Sequence, residues 1–538
     1  MPRPAALVKR SLIFVHRWLG VALAVLFMLW FASGIVMMYW SFPEVSATDR
    51  LERLPVLTPE QITVSAAQAA ASVGRDLPPG QVRLTSLDGR PAWRLGGRGG
   101  WTMVYADTGA AVDVVDDGMA DRAATTWAGR PLSEAVKESV EEPDQWTVGS
   151  SLRTLRPLYK YSFTDGQQVY VNGNTAEIVQ YTTTSSRFWA WLGAIPHWLY
   201  FTPLRKNQPQ WFSFVVWSSI IATIAALIGV VVAIWMLSPK KRYRYAGAPT
   251  MVPYSGWKRW HTIIGLVFGA VTTTWAFSGI MSMGPFPITD RLTNVIAPLP
   301  SVPEGRQAQS GPRAGRANQR RGPNVAGLLR GRGGASLSAF EEKDPRTALA
   351  SIRDFAAKEL ELTSFDGEPV YLATNGDGET RIIPVRGPPR ESFGADAIMR
   401  VVRDGVGSNL ADLRVIDTYD AYYLDRHHEL PLPVVYAETN DSLRSRFYID
   451  PKTARVVGSY NSRNFVSRWL YHGLHSLDFP WLYNHRPLWD IVVITLMLGG
   501  TALCVTSLIL AWRVLARKVA ALVRARFSSP NEDLVVEA

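Results

Sequence analysis

Four stretches of the chain are apolar almost without interruption: residues 11–40, 211–237, 261–283 and 488–512. A helix needs about 20 such residues to cross a hydrocarbon core, so the pattern predicts four transmembrane helices. Between them the period changes. "QITVSAAQAAASV" reads as an amphipathic helix, and "QVRLTSL", "AWRLGG" and "WTMVYAD" alternate apolar and polar residues as strands do. The same order returns as "DPRTALASIRDFAAKEL", read as a helix, followed by "PVYLATN" and "TRIIPV". "QVYVNGNTAEIVQYT" and "SRFYIDPKTARVVGSY" carry Asn-Gly and Asp-Pro turn signals and predict closing hairpins. Small antiparallel α+β modules are therefore expected in residues 41–185 and 284–463.

The apolar segments repeat one another. His16, Gly20, Trp30 and "SGI" at 33–35 match His261, Gly265, Trp275 and "SGI" at 278–280, each pair 245 positions apart. "YVNGNTAEIV", Trp191, His197 and Trp211 match "YIDPKTARVV", Trp469, His475 and Trp489, each 278 apart. The larger offset implies an insertion in the second copy. Each copy reads as helix in, external domain, short aromatic helix, helix out, and both begin on the same side of the membrane. Parallel repeats of this kind are normally related by an axis along the membrane normal. The expected class is thus an α-helical membrane protein of four transmembrane helices in two parallel internal repeats, with two external α+β domains.

Charge sets the orientation. Basic residues precede the first helix (Arg3, Lys9, Arg10), fill the loop between the second and third (Lys240 to Arg244, Lys258, Arg259) and follow the fourth (Arg513 to Arg526). The positive-inside rule puts all three in the cytoplasm and the long segments outside. The first helix is too long for a cleaved secretory signal and is expected to stay as an anchor. The expected organisation is 1–40 cytoplasmic N-terminus and first helix; 41–185 first external domain; 186–237 aromatic interfacial helix and second helix; 238–260 basic loop; 261–283 third helix; 284–463 second external domain; 464–515 interfacial and fourth helices; 516–538 cytoplasmic tail. Within the second external domain, residues 301–336 are rich in Arg, Gly and Pro and are expected to be a disordered insertion. The net charge of +11 falls largely on that stretch and on the membrane flanks, so the lipid bilayer, not nucleic acid, is its expected partner.

The single cysteine, Cys504, lies in the fourth helix. No intramolecular disulfide, CxxC motif, covalent haem motif or iron–sulfur thiolate set is possible, which leaves histidine as the candidate ligand. His16 and His261 fall near the cytoplasmic face, and His197 and His475 near the outer face. A neutral imidazole is a strong axial ligand for haem iron, and two imidazoles from facing helices can hold a b-type haem without a covalent link. Two haems b are expected, one per pair, with Gly20 and Gly265, and Gly34 and Gly279 at the outer level, letting the flat ring approach the backbone. Small residues also serve close helix packing, and an interfacial histidine also snorkels to water, so those readings stand beside the haem. His472 shares a helical face with His475 and is an alternative ligand, a proton carrier or a supporting group. His485 reads as interfacial, and His427, with Asp425 or Glu429, is a candidate external substrate or metal contact.

"HRWLG", "WFASGIVMMY", "YDAYYLDRHHELPLPV", "RWLYHGLHSLDFPWLY" and "RPLWDIVV" resemble the PepSY-associated transmembrane proteins of bacterial inner membranes. The resemblance covers nearly the whole chain, and the Arg-rich insertion departs from it. It implies a role in iron acquisition, since similar proteins include siderophore reductases with two b-type haems. The expected function is then transfer of electrons across the inner membrane, from quinol or another membrane donor, to a ferric siderophore or other ferric complex in the periplasm. The alternative is a non-enzymatic, membrane-anchored module that binds a periplasmic peptide, protease or envelope partner. A transporter is disfavoured, because Asp478 and Asp490 lie near the outer edge and no carboxylate pair sits mid-membrane. No GxGxxG motif opening a helix is present to suggest a nucleotide cofactor.

Overall fold

A computed structural model describes residues 4–96, 101–112, 115–283, 323–331, 334–425, 429–462 and 468–527. The described residues form two compact units, each assembled from distant parts of the chain: Met1–Phe42, Phe188–Asp290 and Ser467–Ala538 in one, Pro43–Arg187 and Arg291–Val466 in the other. All four long apolar helices belong to the first.

The second unit is built of sheets. Strands β1 (Val82–Leu87), β2 (Arg90–Leu95) and β3 (Thr102–Tyr105) form one meander, and β4 (Ala135–Val140), β5 (Leu158–Phe163), β6 (Gln168–Asn172) and β7 (Ile178–Thr182) form the next. β8 (Tyr243–Tyr245) and β9 (Ala248–Thr250) make a small hairpin in the other unit, between the second and third long helices. The order then returns: β10 (Glu359–Phe365), β11 (Glu368–Thr374) and β12 (Thr380–Pro384), followed by β13 (Leu410–Ile416), β14 (Val434–Thr439), β15 (Arg446–Ile449) and β16 (Val456–Tyr460).

Separate α+β modules for the two segments are not what forms. β1 pairs antiparallel with β10, so a single sheet runs β12-β11-β10-β1-β2-β3. A three-stranded meander alone leaves an edge of unpaired backbone groups. Joining two such edges satisfies both, and one core then runs under the whole sheet, from Ile62, Leu84 and Trp93 to Leu360, Leu362 and Tyr371. Leu84 faces Trp93 across β1–β2, and Leu362 faces Tyr371 across β10–β11, in the same register 278 positions on. Arg83 opposes Glu361, also 278 positions away.

Two local expectations also change, and a third is met in detail. The helix expected through residue 360 is confined to Pro345–Ala350, because Leu360 and Leu362 turn into the core as alternate residues of β10. The predicted hairpins β6–β7 and β15–β16 do form, with the turns at Asn172-Gly173 and Asp450-Pro451 shaped by the Asn and Asp side chains. Asn172 Oδ1 accepts from the Asn174 and Thr175 N–H groups at 2.7 and 3.1 Å, and Asp450 Oδ1 from Lys452 N–H at 2.9 Å. Ala176 and Ala454 then both take φ of 54°. Within the expected disordered stretch, residues 323–331 are ordered. Asn324 caps a helix over Val325–Arg330, and Val325 and Leu329 bury against Phe365 and Val402. Two apolar side chains at helical spacing suffice to dock that turn; residues 301–322, 332 and 333 lie outside the described set.

Charge is buried where β1 meets β10. Glu359, 4 % exposed, accepts from Arg50 and, at 3.2 Å, from Arg83 and Thr85. Glu361 accepts from Arg83 at 2.8 Å and from Arg455. Burial alone would raise both carboxyls. Arg83 and Arg50 outweigh it at Glu359, as Arg455 and Arg83 do at Glu361, and hold both below the usual carboxylate range. A depressed carboxylate contributes stability that is present above its unfolded pKa of about 4.3 and is lost as pH falls through the lower folded value. Melting followed by circular dichroism should therefore move to lower temperature on acidification below about pH 4.3. Glu361→Gln should flatten that dependence; an unchanged acid profile would contradict the assignment.

In the first unit the spanning helices are Pro4–Met37, Gln208–Met236, Gly256–Met283 and Leu488–Phe527. The first and third each pack against the second and fourth, so they face one another across the bundle. Large apolar side chains point outward, among them Val25, Trp217, Val267 and Leu498, each more than half exposed. In water that would be costly; in a bilayer it is the expected surface.

Candidate functional site: two facing imidazole pairs

His16 on the first spanning helix and His261 on the third meet in the bundle with ring centroids 6.2 Å apart. The other two helices hold them. His16 Nδ1–H donates to the Ala225 carbonyl at 2.9 Å. His261 Nδ1 lies 3.1 Å from Thr506 Oγ1 and 3.5 Å from Ser507 Oγ. A Cβ on Gly229, one turn beyond Ala225, would come within 2.5 Å of His16 Cε1. That glycine is what admits the imidazole, and nothing in the repeat pattern pointed to it.

Seventeen residues further along both helices, Ser33 and Ser278 hold a second pair. His197, on the short helix Ala194–Trp198, and His475, on the wide helical turn Arg468–Ser476, have ring centroids 6.1 Å apart. His197 Nδ1–H donates to the Trp30 carbonyl at 3.1 Å with Ser33 Oγ at 3.2 Å, and His475 Nδ1 lies 2.9 Å from Ser278 Oγ. At about 1.5 Å per residue, seventeen residues put roughly 25 Å between the two levels. Phe31 and Trp275, with centroids 5.5 Å apart, fill the bundle between them.

The hydroxyl partners fix the tautomers. Ser278 Oγ donates to the Trp275 carbonyl at 3.0 Å, Thr506 Oγ1 to Leu503 at 2.7 Å, and Ser33 Oγ to Leu29. Their protons being so placed, each hydroxyl accepts from a histidine Nδ1–H. With Nδ1 engaged as a donor in each ring, Nε2 is the nitrogen left to act as a ligand. A metal–imidazole bond of about 2.0 Å plus about 1.1 Å from ring centre to nitrogen, taken from both sides of one metal, gives roughly 6.2 Å between centroids. Both pairs match that length. Among the described residues no three His, Cys, Asp or Glu side chains cluster as a metal site, so each pair offers two ligands only. The donor set suits a metal whose other positions are already filled, as the four nitrogens of a haem ring fill them.

The other expected site residues fall as follows. A Cβ on Gly34 would lie 3.4 Å from His197 Cε1 and 3.1 Å from Met497 Cε, which puts that glycine at the outer pair. A Cβ on Gly20 meets nothing within 4 Å, one on Gly265 meets only Leu503 at 3.7 Å, and one on Gly279 only Ser219 at 3.8 Å. His472 turns to Asp478, Nδ1 to Oδ2 3.8 Å. Asp478 is itself held by the buried Arg468 at 3.0 Å, an ion pair that ties both ends of the turn bearing His475. Asp425 accepts from the Glu429 and Leu430 N–H groups, closing its own loop; His427 lies outside the described residues.

The family described as the PepSY-associated TM region matches residues 14–403, a span that includes His16, His197 and His261 and ends before His475. No curated protein matches the chain.

Proposed function

We propose that this chain, which belongs to the PepSY-associated transmembrane family, carries two b-type haems and passes electrons across the membrane to a ferric siderophore or other ferric complex. The observation that carries the reading is the pair of facing imidazole sets, 6.2 and 6.1 Å apart, with every Nδ1 engaged. His16 and His261 would hold the inner haem, His197 and His475 the outer. Each haem would supply a one-electron carrier whose iron alternates between Fe(III) and Fe(II).

The remaining work falls to the chain. Ala225, Thr506, Trp30 with Ser33, and Ser278 orient the four rings and, by accepting from Nδ1–H, raise the basicity of Nε2. Ligands fixed from two sides move little when the iron changes charge. The apolar bundle between the levels excludes water. The basic loops support an orientation in which the sheet-bearing unit is periplasmic and both termini are cytoplasmic, with the inner membrane as the bilayer crossed. Quinol, or another membrane-bound donor, supplies the electrons; one quinol releases two electrons and two protons and so reduces two ferric ions. Fe(II) carries less charge and is softer than Fe(III), so the oxygen donors of a siderophore release it more readily.

Protein purified in detergent from haem-competent cells should show a reduced-minus-oxidised spectrum of six-coordinate b-type haem and about two haems per chain. Those haems should be re-oxidised by a ferric hydroxamate complex. A haem-free preparation of folded protein overturns the reading.

A further inference from the structure

The fourth spanning helix is longer than a bilayer needs. Residues 491–512, between Asp490 and Arg513, carry no charged side chain and cover about 33 Å, a full hydrocarbon core. The helix nevertheless runs on without a break to Phe527. Past Trp512 its side chains sort by face. Arg513, Arg517 and Arg524 lie exposed on one side. Leu515, Val519 and Leu522 lie on the other, 44 %, 58 % and 70 % exposed.

That apolar side ends a longer stripe. Ile491, Leu498, Val505, Trp512 and Val519 recur at intervals of seven, and each is more than 40 % exposed. A strict seven-residue repeat is the pattern of a helix wound on another, because a straight helix drifts about 20° per heptad against it. Lipid can cover the stripe only as far as Trp512. Val519 and Leu522 lie about 10 and 15 Å further along the helix, past a headgroup layer of roughly 5–7 Å. A helix covered by lipid there would lie in the membrane plane, which the unbroken continuation of a spanning helix does not do. The chain's own packing falls elsewhere: the first spanning helix lies against this one, with Lys518 Nζ over the Trp18 ring at 4.9 Å.

We propose that this stripe pairs with the same stripe of a second copy, as a parallel two-stranded coiled coil that continues out of the bilayer as far as Arg526. Both copies cross the membrane in the same direction, so a two-fold axis along its normal sets identical residues at identical depths. Val519 takes the a position and Leu515 and Leu522 the d positions, a combination that favours two strands. Ala516, Lys518 and Val523 flank the seam, so no like charges oppose across it, and the three arginines point away. Thr506, which holds His261, is buried on another face of the same helix. The pairing and the haem reading therefore stand or fall separately.

Cysteine scanning of the full chain in membranes tests it. Cys504, the chain's own cysteine, is buried and gives the background. On oxidation, Leu515→Cys, Val519→Cys and Leu522→Cys should each form a disulfide-linked dimer of twice 59.7 kDa, because a disulfide needs close approach. Arg517→Cys and Ala520→Cys, away from the seam, should stay at the monomer mass. Val519→Lys added to Leu522→Cys should lose the cross-link, since it sets two like charges in the seam, while its melting curve matches that of the unaltered protein. The proposal is overturned if Leu515→Cys, Val519→Cys and Leu522→Cys cross-link no better than Arg517→Cys and Ala520→Cys. It is also overturned if a fluorophore attached to the Val519→Cys protein is quenched by brominated lipid, which would make lipid the cover.

Discussion

His261→Ala should bring the haem content from two per chain to about one. His197→Ala should do the same while removing the other spectral component, so that the double variant carries none. The expectation follows from the placement of the rings. His261 is paired with His16 and lies roughly 25 Å along the bundle from Ser278, the partner of His475. Neither level therefore lends a ligand to the other. A folded His261→Ala protein that kept both haems, or lost both, would break the pairing. A sharper test leaves every histidine intact. Gly229→Ala would bring a methyl within 2.5 Å of His16 Cε1 and 3.2 Å of its Nε2. The ring must leave, and the Ala225 carbonyl loses its donor. Gly229→Ala should thus lose the same spectral component as His261→Ala, whereas a Gly20→Ala methyl meets nothing within 4 Å and should be far milder.

Much of this site is legible in the sequence because a bundle obeys simple geometry. Equal intervals of seventeen residues, from His16 to Ser33 and from His261 to Ser278, put matching groups at matching depths. Four apolar runs fix which segments are helices. Gly229 and Thr506 were not legible, since each acts on a ring from another helix and only the packing order shows which residues touch. The same limit applied to the sheets. Alternation identified β1, β2, β3, β11 and β12 as strands, yet β10 read as the tail of a helix: "AAKEL" favours helix locally, and only the pairing with β1 makes Leu360 and Leu362 alternate into a core. With β10 missed, the junction between the two segments was missed too, and with it the charge cluster. The Arg-rich stretch misled in the opposite way. Its composition is that of a solvated linker, but Val325 and Leu329, four residues apart behind an Asn cap, anchor a turn of helix in the core.

Glu359→Gln should be the most damaging single change in the sheet-bearing unit, lowering its stability by about 3–5 kcal/mol, the usual result of removing one partner from a buried ion pair. Glutamine keeps the shape of the side chain but not its charge. Arg50 and Arg83, 22 % and 12 % exposed, would then face a neutral amide, with Glu361 left to answer Arg83 and Arg455. For a unit of this size each kcal/mol moves the melting temperature by about 2–4 °C, so a fall of roughly 10 °C is expected in circular dichroism. Lys160 with Glu138 provides the contrast. That pair is 3.2 Å long with Glu138 55 % exposed, and Glu138→Gln should cost well under about 1 kcal/mol. Adding Arg50→Met to Glu359→Gln removes one of the cations that Glu359 had answered and should recover part of the loss, a coupling that independent sites would not show. If the double variant is instead destabilised by the sum of the two single changes, Glu359 and Arg50 contribute separately and their pairing adds nothing to the junction.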